Sequence, residues 1–475
     1  MAAETSGSLE MGALPGAVTD AAPLATTGAT EAASAPDTTS GRRKPGMFAP
    51  LRRRNFALLF GGQTISALGD QAYGLALPWT VLAVTNDPRQ VGIVLAAGAV
   101  PRVLLLLFGG ALADRLSPRL VMIVADLVRV LVVGVLGVTL LHGLPPLWIV
   151  ASLAGLEGAG SGLFQPGVMS LLPSTVSDDE LPAGNGLFQV VQFLSLVLGP
   201  LLGGVATAAQ ASVAFLADAA SFGVSALSLF GIRIPTSKHP TAAIAATAPV
   251  PATSGAPTKR SGIFGDIGAG FRYATSIPLL RTMMTITVFG NFAFAGTVNV
   301  ALIVLSHALS PSPLIFALIL CVTGVGGILG GLGSSLLGRL RRRGPLGMAI
   351  FVVVAALMVA TPFTTGAASG LPVTLPIPAD WHIPALAGMM GLIGLLLALS
   401  DTVFVTAMQQ RIAPEYMARV FSIQFLMGGI SQPLSLALAG LVAATLGPGV
   451  TFIAGGVVLL IALVIGFSSR ELRNL

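Results

Sequence analysis

Twelve long apolar runs constrain the fold of this chain more than any other feature of its sequence. Each run is long enough to cross about 30 Å of hydrocarbon as a helix that rises about 1.5 Å per residue. Mean hydropathy is +0.88 and only 9% of residues are charged, a balance that would make the surface of a soluble protein aggregate. We therefore expect an all-α integral membrane protein, because helices satisfy their own backbone polar groups in lipid.

The apolar runs form two groups of six. They are Phe56–Val84, Val91–Ala113, Leu120–Leu141, Leu147–Leu172, Ala183–Ala206, Ser212–Ile232, Leu279–His307, Pro313–Leu337, Gly344–Phe363, Pro384–Met408, Val420–Leu446 and Val450–Ser468. A segment rich in Pro, Ala and Thr, Pro235–Lys259, separates the groups. We expect a disordered cytoplasmic tail at 1–50, a six-helix half at 51–234, a cytoplasmic linker at 235–262 and a second six-helix half at 263–475.

Similar sequence signals recur in the two groups. Gly109–Arg115 ends the second run and Gly330–Ser335 ends the eighth, while Leu187–Gln189 and Val420–Ser422 open the fifth and eleventh. This repetition suggests duplication, with two pseudo-symmetric halves. The glycines that crowd the eighth run are interpreted as helix-packing residues, because no Gly-Lys-Ser/Thr phosphate loop occurs in the chain.

Basic residues are distributed asymmetrically. All but three of the 25 lysines and arginines lie in the N-terminal tail or in the loops on one side. Of the other three, Arg102 and Arg129 lie within runs and Arg89 lies on the opposite side. The positive-inside rule then predicts that both termini are cytoplasmic. The same placement explains the net charge of +6 without a nucleic-acid partner.

The residue inventory argues against several kinds of site. The single cysteine, Cys321, excludes disulfides, and the four scattered histidines offer no metal cluster. We expect no metal, no cofactor and no enzyme activity, and the first residues do not resemble a secretory signal peptide. Without a nucleotide-binding loop, any process that this chain drives should take its energy from an ion gradient.

Seven ionisable residues lie within the apolar runs. They are Asp70, Arg102, Asp126, Arg129, Glu157, Asp218 and Asp401. A charge at the bilayer centre costs roughly 2.5–3.5 kcal/mol, so seven would cost on the order of 20 kcal/mol if left in lipid. These residues must therefore pair or face water inside a helix bundle, as in a transporter and unlike a passive anchor.

A polar stripe in the first run predicts a cavity. Gln63, Ser66, Asp70 and Tyr73 recur at steps of three and four, so they share one helix face. We hypothesise that Asp70 is a protonatable residue coupled to transport. The alternative is a permanent ion pair between Asp70 and Arg102.

Structural roles compete with functional ones for the other charges. Asp126 and Arg129 are three residues apart and are expected to pair within one helix, with a cavity or relay role for Arg129 as the alternative. Asp218 is expected to hold spans together, and Asp401 to pair with Arg339 or another loop arginine.

The loop after the second run carries a spaced motif. Its members are Gly110, Asp114, Arg115 and Arg119. The glycine permits close helix approach, and the charged residues suit capping and pairing at helix ends. Here the chain resembles the major facilitator superfamily, whose signature in this loop is G-x-x-x-D-R-x-G-R-R. Ser117 and Pro118 depart from that signature, and the alternative is that the charges merely mark a short loop.

The fifth run carries a second motif, Gly199-Pro200-Leu201-Leu202-Gly203-Gly204. It resembles the antiporter motif of exporters in that superfamily. Proline removes one helix hydrogen bond, and the glycines let a partner helix approach closely. The resemblance implies export, with the outward end sealed while the inward end is open; the alternative is a packing kink.

Other segments resemble the drug and siderophore exporter branch of the superfamily, which includes macrolide and enterobactin exporters. They are Ser66–Asp70, Leu77–Trp79, Phe215–Phe222, Phe271–Tyr273, Pro278–Arg281 and Arg419–Ser422. In this superfamily spans one, four, seven and ten usually line the cavity. Glu157 is then a candidate to bind a cationic substrate or to share the proton. Asn291 and Asn299 are candidate cavity hydrogen-bonders or interhelical contacts.

These features predict a secondary transporter with two six-helix halves and alternating access around a central cavity. We expect proton-coupled antiport that exports an amphipathic small molecule, such as an antibiotic, drug or siderophore-like natural product, across a bacterial cytoplasmic membrane. The expected partners are that substrate, protons and the lipid bilayer, and the chain is expected to be a monomer. Alternatives are an importer or lipid flippase on the same fold, or a transport-dead receptor or scaffold.

Overall fold

The protein is a bundle of twelve long helices within the residues that its structure describes. A computed structural model describes residues 46–233, 272, 275–337, 343–412 and 414–468. The helices are α1 (Arg54–Thr85), α2 (Pro88–Arg115), α3 (Pro118–Thr139), α4 (Leu147–Leu171), α5 (Leu181–Ala209), α6 (Ala211–Gly231), α7 (Pro278–Gly296, a π-helical turn Thr297–Ala301 and Leu302–Leu309), α8 (Pro313–Leu337), α9 (Arg343–Ala360), α10 (His382–Arg411), α11 (Pro414–Leu446) and α12 (Pro448–Ser468). The expected tail and linker lie largely outside the described residues.

Eleven of the described helical segments are long and apolar enough to cross a membrane. The twelfth helix, α1, has 32 residues and ample length, but polar residues dilute its hydropathy. α1 runs without a break through Gly69 and Asp70. A Cβ atom at Gly69 would lie 2.3 Å from Oδ1 of Asp218 on α6, so a larger residue would require the Asp218 side chain to move. The expected all-α multi-pass membrane fold is confirmed.

Prolines set many of the helix starts. Six of the described helices, α2, α3, α7, α8, α11 and α12, begin at a proline. Proline suits the first helical turn because its missing N–H would have no helical partner there. This effect explains why α11 begins at Pro414, six residues before the run predicted from hydropathy.

Glycines bring α2 and α4 into backbone contact. A Cβ atom on Gly158 would lie 2.0 Å from the carbonyl oxygen of Gly98, and one on Gly162 would lie 2.4 Å from that of Arg102. Small residues four apart on one helix create this close approach, which adds dispersion contacts that lipid alone does not supply.

The second half repeats this packing between α8 and α10. Cβ atoms on Gly326 and Gly330 would lie 2.0 Å and 2.1 Å from the carbonyl oxygens of Gly391 and Leu395. The other helix pairs match as well: α1 packs on α5 and α6 as α7 packs on α11 and α12. These equivalent contacts agree with the duplication that the sequence suggested, and they support a packing role for the glycines of α8.

The two halves meet through α2 with α11 and through α5 with α8. We call the end of the bundle where α1 begins the proximal end, and the end where α1 finishes the distal end. At the distal end, a Cβ atom on Gly92 would lie 3.0 Å from Cα of Gly440. Nearby, the Trp79 ring lies 5.1 Å from the His307 ring and 6.1 Å from the Phe316 ring, centroid to centroid. The halves are therefore closely packed at the distal end.

Candidate functional site: a buried ion-pair cluster beside a central cavity

Arg129 on α3 is a deeply buried charge of the first half, with a side chain that is 2% exposed. Its Nη2 donates hydrogen bonds to Oδ1 of Asp70 on α1 and, at 3.1 Å, to Oε1 of Glu157 on α4. One guanidinium nitrogen therefore ties three helices together. Charge-assisted hydrogen bonds of this kind are about twice as strong as neutral ones.

Small and aromatic residues shape the space around Arg129. Its Cζ lies 3.6 Å from the centroid of the Phe222 ring and 6.0 Å from that of Phe164. A Cβ atom on Gly160 would lie 2.7 Å from Cγ of Arg129, so the glycine leaves room for the arginine stem. The ring faces attract the cation in a region from which water is excluded.

Two further carboxyl groups lie within electrostatic reach of Arg129, those of Asp218 and Asp126. Asp218 accepts a hydrogen bond from Oγ of Ser221 at 3.2 Å, and Asp126 is fully buried with Ser225 of α6 beside it. One buried guanidinium thus binds two carboxylates directly and lies within electrostatic reach of two more. Uncompensated charge in a low dielectric is costly, so this cluster is suited to bind and release protons.

The ion pairs differ from those expected from the sequence. Asp70 pairs with Arg129 instead of Arg102, whose side chain is exposed on α2. Arg129 also does not pair with Asp126 within α3. The reason is the direction of the Arg129 side chain, which follows Gly160 toward α1 and α4 while Asp126 faces α6.

A cavity of about 640 Å³ lies between the two halves. This volume suits a drug-sized ligand. Most lining residues belong to the second half. The lining comprises Gln71, Gly74, Leu75, Phe193, Leu196 and Pro200 from the first half and Met283, Ile286, Thr287, Gly290, Asn291, Phe294, Val298, Asn299, Leu320, Thr323, Gly324, Gly327, Phe351, Gly394, Leu397, Ala398, Asp401, Phe404, Val405 and Gln424 from the second.

The polar stripe of α1 faces the interior of the first half instead of this cavity. Ser66 is 1% exposed, and the Tyr73 ring packs edge-on against Phe215 of α6 at 5.6 Å. Neither residue lines the cavity, and Gln63 does not line it either. The residue of α1 that does so is Gln71, which sequence reasoning missed because it lies beside the stripe and outside its period.

Asn291 and Asn299 of α7 do line the cavity. Their Nδ2 atoms donate to the carbonyl oxygens of Thr287 at 2.9 Å and Ala295 at 2.8 Å. Asn299 belongs to the π-helical turn, which shifts the register of α7 at mid-bundle. Such turns are frequent at functional sites because they redirect side chains.

Asp401 and Gln424 are lining residues that the sequence analysis did not place there. Asp401 was expected to pair with Arg339 or another loop arginine, and Arg339 lies outside the described residues. Nε2 of Gln424 on α11 donates to Oγ1 of Thr287 on α7 at 2.9 Å. The sequence did hold one signal for Asp401 as a lining residue: it lies on the tenth span, which the superfamily uses to line its cavity.

The described part of the loop motif closes the proximal end of α6. Nε and Nη2 of Arg119 donate to the carbonyl oxygens of Leu229 and Phe230, each at 2.8 Å. Both carbonyls lie in the last turn of α6, where helical partners run out, although Leu229 also accepts from the N–H of Ile232 at 3.2 Å. The arginine therefore completes the C-terminal cap. The side chains of Gly110, Asp114 and Arg115 lie outside the described part of the structure.

The antiporter-like motif packs α5 against α1 in the first half and against α8 in the second half. Cβ atoms on Gly199 and Gly203 would lie 2.3 Å from Cβ of Gln71 and 2.7 Å from Cα of Ala72, both on α1. A Cβ atom on Gly204 would lie 2.4 Å from Cβ of Ala317 on α8. Pro200, between them, lines the cavity. The motif therefore lies where one half meets the other.

Comparison with known families decides the class of protein. The model of the Major Facilitator Superfamily matches residues 59–377, which is more than half of the chain. The chain belongs to the Major Facilitator Superfamily. The resemblance inferred from the sequence motifs is confirmed, and this superfamily is one of transporters and not of enzymes.

Relatives within the superfamily include exporters. The chain is 24% identical to the multidrug efflux pump Tap of Mycolicibacterium fortuitum, over 88% of this chain and 96% of the relative. It is 21% identical to macrolide efflux protein A of Streptococcus pyogenes, over 88% of this chain and 97% of the relative. These low-identity relatives support the drug-exporter branch of the Major Facilitator Superfamily.

Solved structures share the fold. The nucleoside transporter NupG aligns with a TM-score of 0.65 at 14% identity, covering 88% of this chain and 100% of its own. A bacterial homologue of the iron transporter ferroportin, in an inward-facing state, aligns with a TM-score of 0.63 at 15% identity, covering 87% and 98%. At such identities the likeness concerns the Major Facilitator fold alone.

Proposed function

We propose that this member of the superfamily is a proton-coupled antiporter that exports an amphipathic small molecule from the bacterial cytoplasm, with both termini cytoplasmic, acting as a monomer. The observation that carries the proposal is the bridging of Asp70 and Glu157 by the buried Arg129. A passive scaffold gains nothing from four carboxyl groups within electrostatic reach of one buried guanidinium, because each is costly to keep in a membrane.

The shape of the bundle supports access from the cytoplasmic side. The halves are closely packed at the distal end, where Gly92 meets Gly440. In the second half the cavity extends into the proximal halves of the helices, where Met283, Asp401 and Gln424 lie. The loops rich in arginine and lysine are at the proximal end, which the positive-inside rule assigns to the cytoplasm.

The effect of protonation at the cluster would be transmitted to the cavity through α1. Neutralising Asp70 removes one of the two carboxylate partners of Arg129 and weakens the contact between α1 and α3. The next residue of α1, Gln71, lines the cavity and packs against Gly199 of α5. Protonation therefore biases the position of a cavity wall, and a substrate that prefers one position is coupled to the proton.

Three observations favour export of amphipathic molecules. The cavity wall is mainly apolar with a few polar side chains, which suits a ligand of mixed character. The similar proteins named multidrug efflux pump Tap and macrolide efflux protein A are exporters by name. Gly204 of the antiporter-like motif packs against Ala317 of α8, at the interface between the halves.

Transport into inverted membrane vesicles tests this proposal. A panel of amphipathic compounds is added to vesicles that contain the full chain, with a proton gradient that is acidic inside. We expect accumulation of at least one compound, loss of that accumulation on adding an uncoupler, and alkalinisation of the lumen when the compound is added. Accumulation that persists without the gradient would show facilitated diffusion and refute antiport.

A further inference from the structure

The cavity wall carries a single sign of charge. Asp401 is the one ionisable side chain among the described lining residues, and no lysine, arginine or histidine is among them. The carboxylates of the ion-pair cluster do not line the cavity, because Arg129 holds Asp70 and Glu157 inside the first half. Any ligand in the cavity therefore meets one negative group, on the side of the second half.

The Asp401 carboxylate lacks a partner within the part of the chain that the structure describes. Among the described residues, none forms a hydrogen bond or ion pair with it, and its surroundings act on it only by excluding water. A carboxylate on a cavity wall that excludes some water, and that has no partner, is unfavourable unless something else neutralises it. Asp70, in contrast, has Arg129 for this purpose.

Neighbouring groups suit an organic cation. Phe404 lies one turn along α10 from Asp401, and its ring is 5.5 Å from that of Phe351, centroid to centroid. Aromatic faces attract cations, most strongly where water is scarce. Oε1 of Gln424, which also lines the cavity, is buried and accepts no hydrogen bond from a described residue. A carboxylate, an amide oxygen and two rings thus face one space.

We propose that Asp401 is the anionic subsite for the ammonium group of the substrate, so that the protein selects amphipathic monocations over neutral molecules of the same shape. This inference deepens the proposed function, on which it rests. The ammonium binds in the second half, whereas the proton-binding cluster lies in the first. Substrate and proton thus occupy different carboxylates and are linked through the movement of the halves.

Binding of a matched pair of probes tests this inference without a proton gradient. Dansylcadaverine carries a primary ammonium at neutral pH, and its N-acetyl derivative has the same fluorophore and chain without the charge. Each is titrated by fluorescence into the purified full-length protein in detergent. We expect the wild-type protein to bind the cation roughly tenfold more tightly than the neutral derivative, which equals about 1.4 kcal/mol.

Substitutions then assign the preference to Asp401. Asp401→Asn and Asp401→Ser should abolish the difference between the probes, and Asp401→Glu should keep most of it because the charge remains. Either neutral variant that elutes as monodisperse protein is sufficient. Asp380→Asn, which alters an exposed acid before α10, is the matched control and should keep the wild-type preference.

Three results would overturn the inference: equal affinity of the wild-type protein for both probes, binding of neither probe, or a preference that survives in Asp401→Asn. The proposed function fails separately. A wild-type protein that prefers the cation but shows no proton-dependent transport in vesicles would refute antiport and leave the ammonium subsite standing.

Discussion

Nη2 of Arg129 donates to Asp70 and to Glu157, so one nitrogen of α3 serves carboxylates from α1 and α4. The two carboxylates that share this donor atom differ in their exposure to water. The Asp70 side chain is 43% exposed, whereas the Glu157 side chain is 14% exposed. Asp70 is therefore the member of the trio that a proton reaches first, and Glu157 retains the pairing of Arg129 when Asp70 is neutral.

Asp70→Asn is expected to abolish proton-driven accumulation in inverted vesicles while the protein remains folded. The amide keeps the shape of the carboxylate but no longer exchanges a proton, and Glu157 continues to neutralise Arg129. The measurement is uptake of a transported compound under an imposed gradient, with size-exclusion chromatography to check folding. Asp380→Asn is the control, since it removes an acid from an exposed loop. Uptake by Asp70→Asn at the wild-type rate would exclude a coupling role for Asp70.

Arg129→Ala is expected to destabilise the protein more than any single carboxylate substitution in the cluster. It leaves Asp70 and Glu157 without their shared cation, and removal of one partner from a buried ion pair costs about 3–5 kcal/mol. The thermal unfolding midpoint in detergent, followed by tryptophan fluorescence, should fall accordingly. Adding Asp70→Asn and Glu157→Gln to Arg129→Ala should recover part of the loss, because the stranded charges are gone. Purely additive losses would contradict the shared-cation arrangement.

Gly158→Ala is expected to destabilise the contact between α2 and α4. Its Cβ would lie 2.0 Å from the backbone oxygen of Gly98, and backbone atoms do not move aside as a side chain does. Overpacking typically costs about 1–3 kcal/mol, and we expect the upper part of that range here. Gly326→Ala should act alike in the second half, where the same 2.0 Å approach occurs.

Gly61→Ala is the matched control for these two substitutions, because no atom lies within 4 Å of a Cβ at Gly61. Its yield of monodisperse protein and its unfolding midpoint should equal those of the wild type. Equal midpoints for Gly158→Ala and Gly61→Ala would show that α2 and α4 are not in backbone contact.

The fold was predictable from the sequence because a membrane helix is encoded by the length of an apolar run. The run Pro313–Leu337 matches α8 residue for residue. The run Val420–Leu446 begins six residues late because the charged first turn of α11 lowers its hydropathy. Glycine spacing also identified the helix-packing face of α8, since a contact of backbones needs small residues at fixed intervals.

The partners of the buried charges were not predictable in the same way. The sequence offered Arg102 as an alternative partner for Asp70, but position along an apolar run does not give the rotation of each helix about its axis. A step of one residue turns a side chain by about 100°. This rotation is why Gln71 lines the cavity while Asp70 faces Arg129. Helix rotation is fixed by packing, which a single sequence does not show.

Gly440→Val is expected to open the distal end of the bundle. A Cβ at Gly440 would lie 2.7 Å from the carbonyl oxygen of Pro88 and 3.0 Å from Cα of Gly92, so a branched side chain forces the halves apart there. Replacing the single native cysteine by Cys321→Ala allows a reporter cysteine, His307→Cys, to be placed where α7 meets Trp79. Its labelling rate with a membrane-impermeant maleimide added from the distal side should rise severalfold in Gly440→Val.

The reason for the faster labelling is the loss of contact between the halves around His307, whose ring packs against Trp79 in the closed arrangement. Gly223→Val on α6 serves as the control and should leave the rate unchanged. A Cβ atom at Gly223 would lie 4.0 Å from the nearest atom. A transported compound that binds the proximally open form should slow the labelling again by shifting the equilibrium back. If Gly440→Val and Gly223→Val label at the same rate, the contact between Gly92 and Gly440 does not hold the distal end closed.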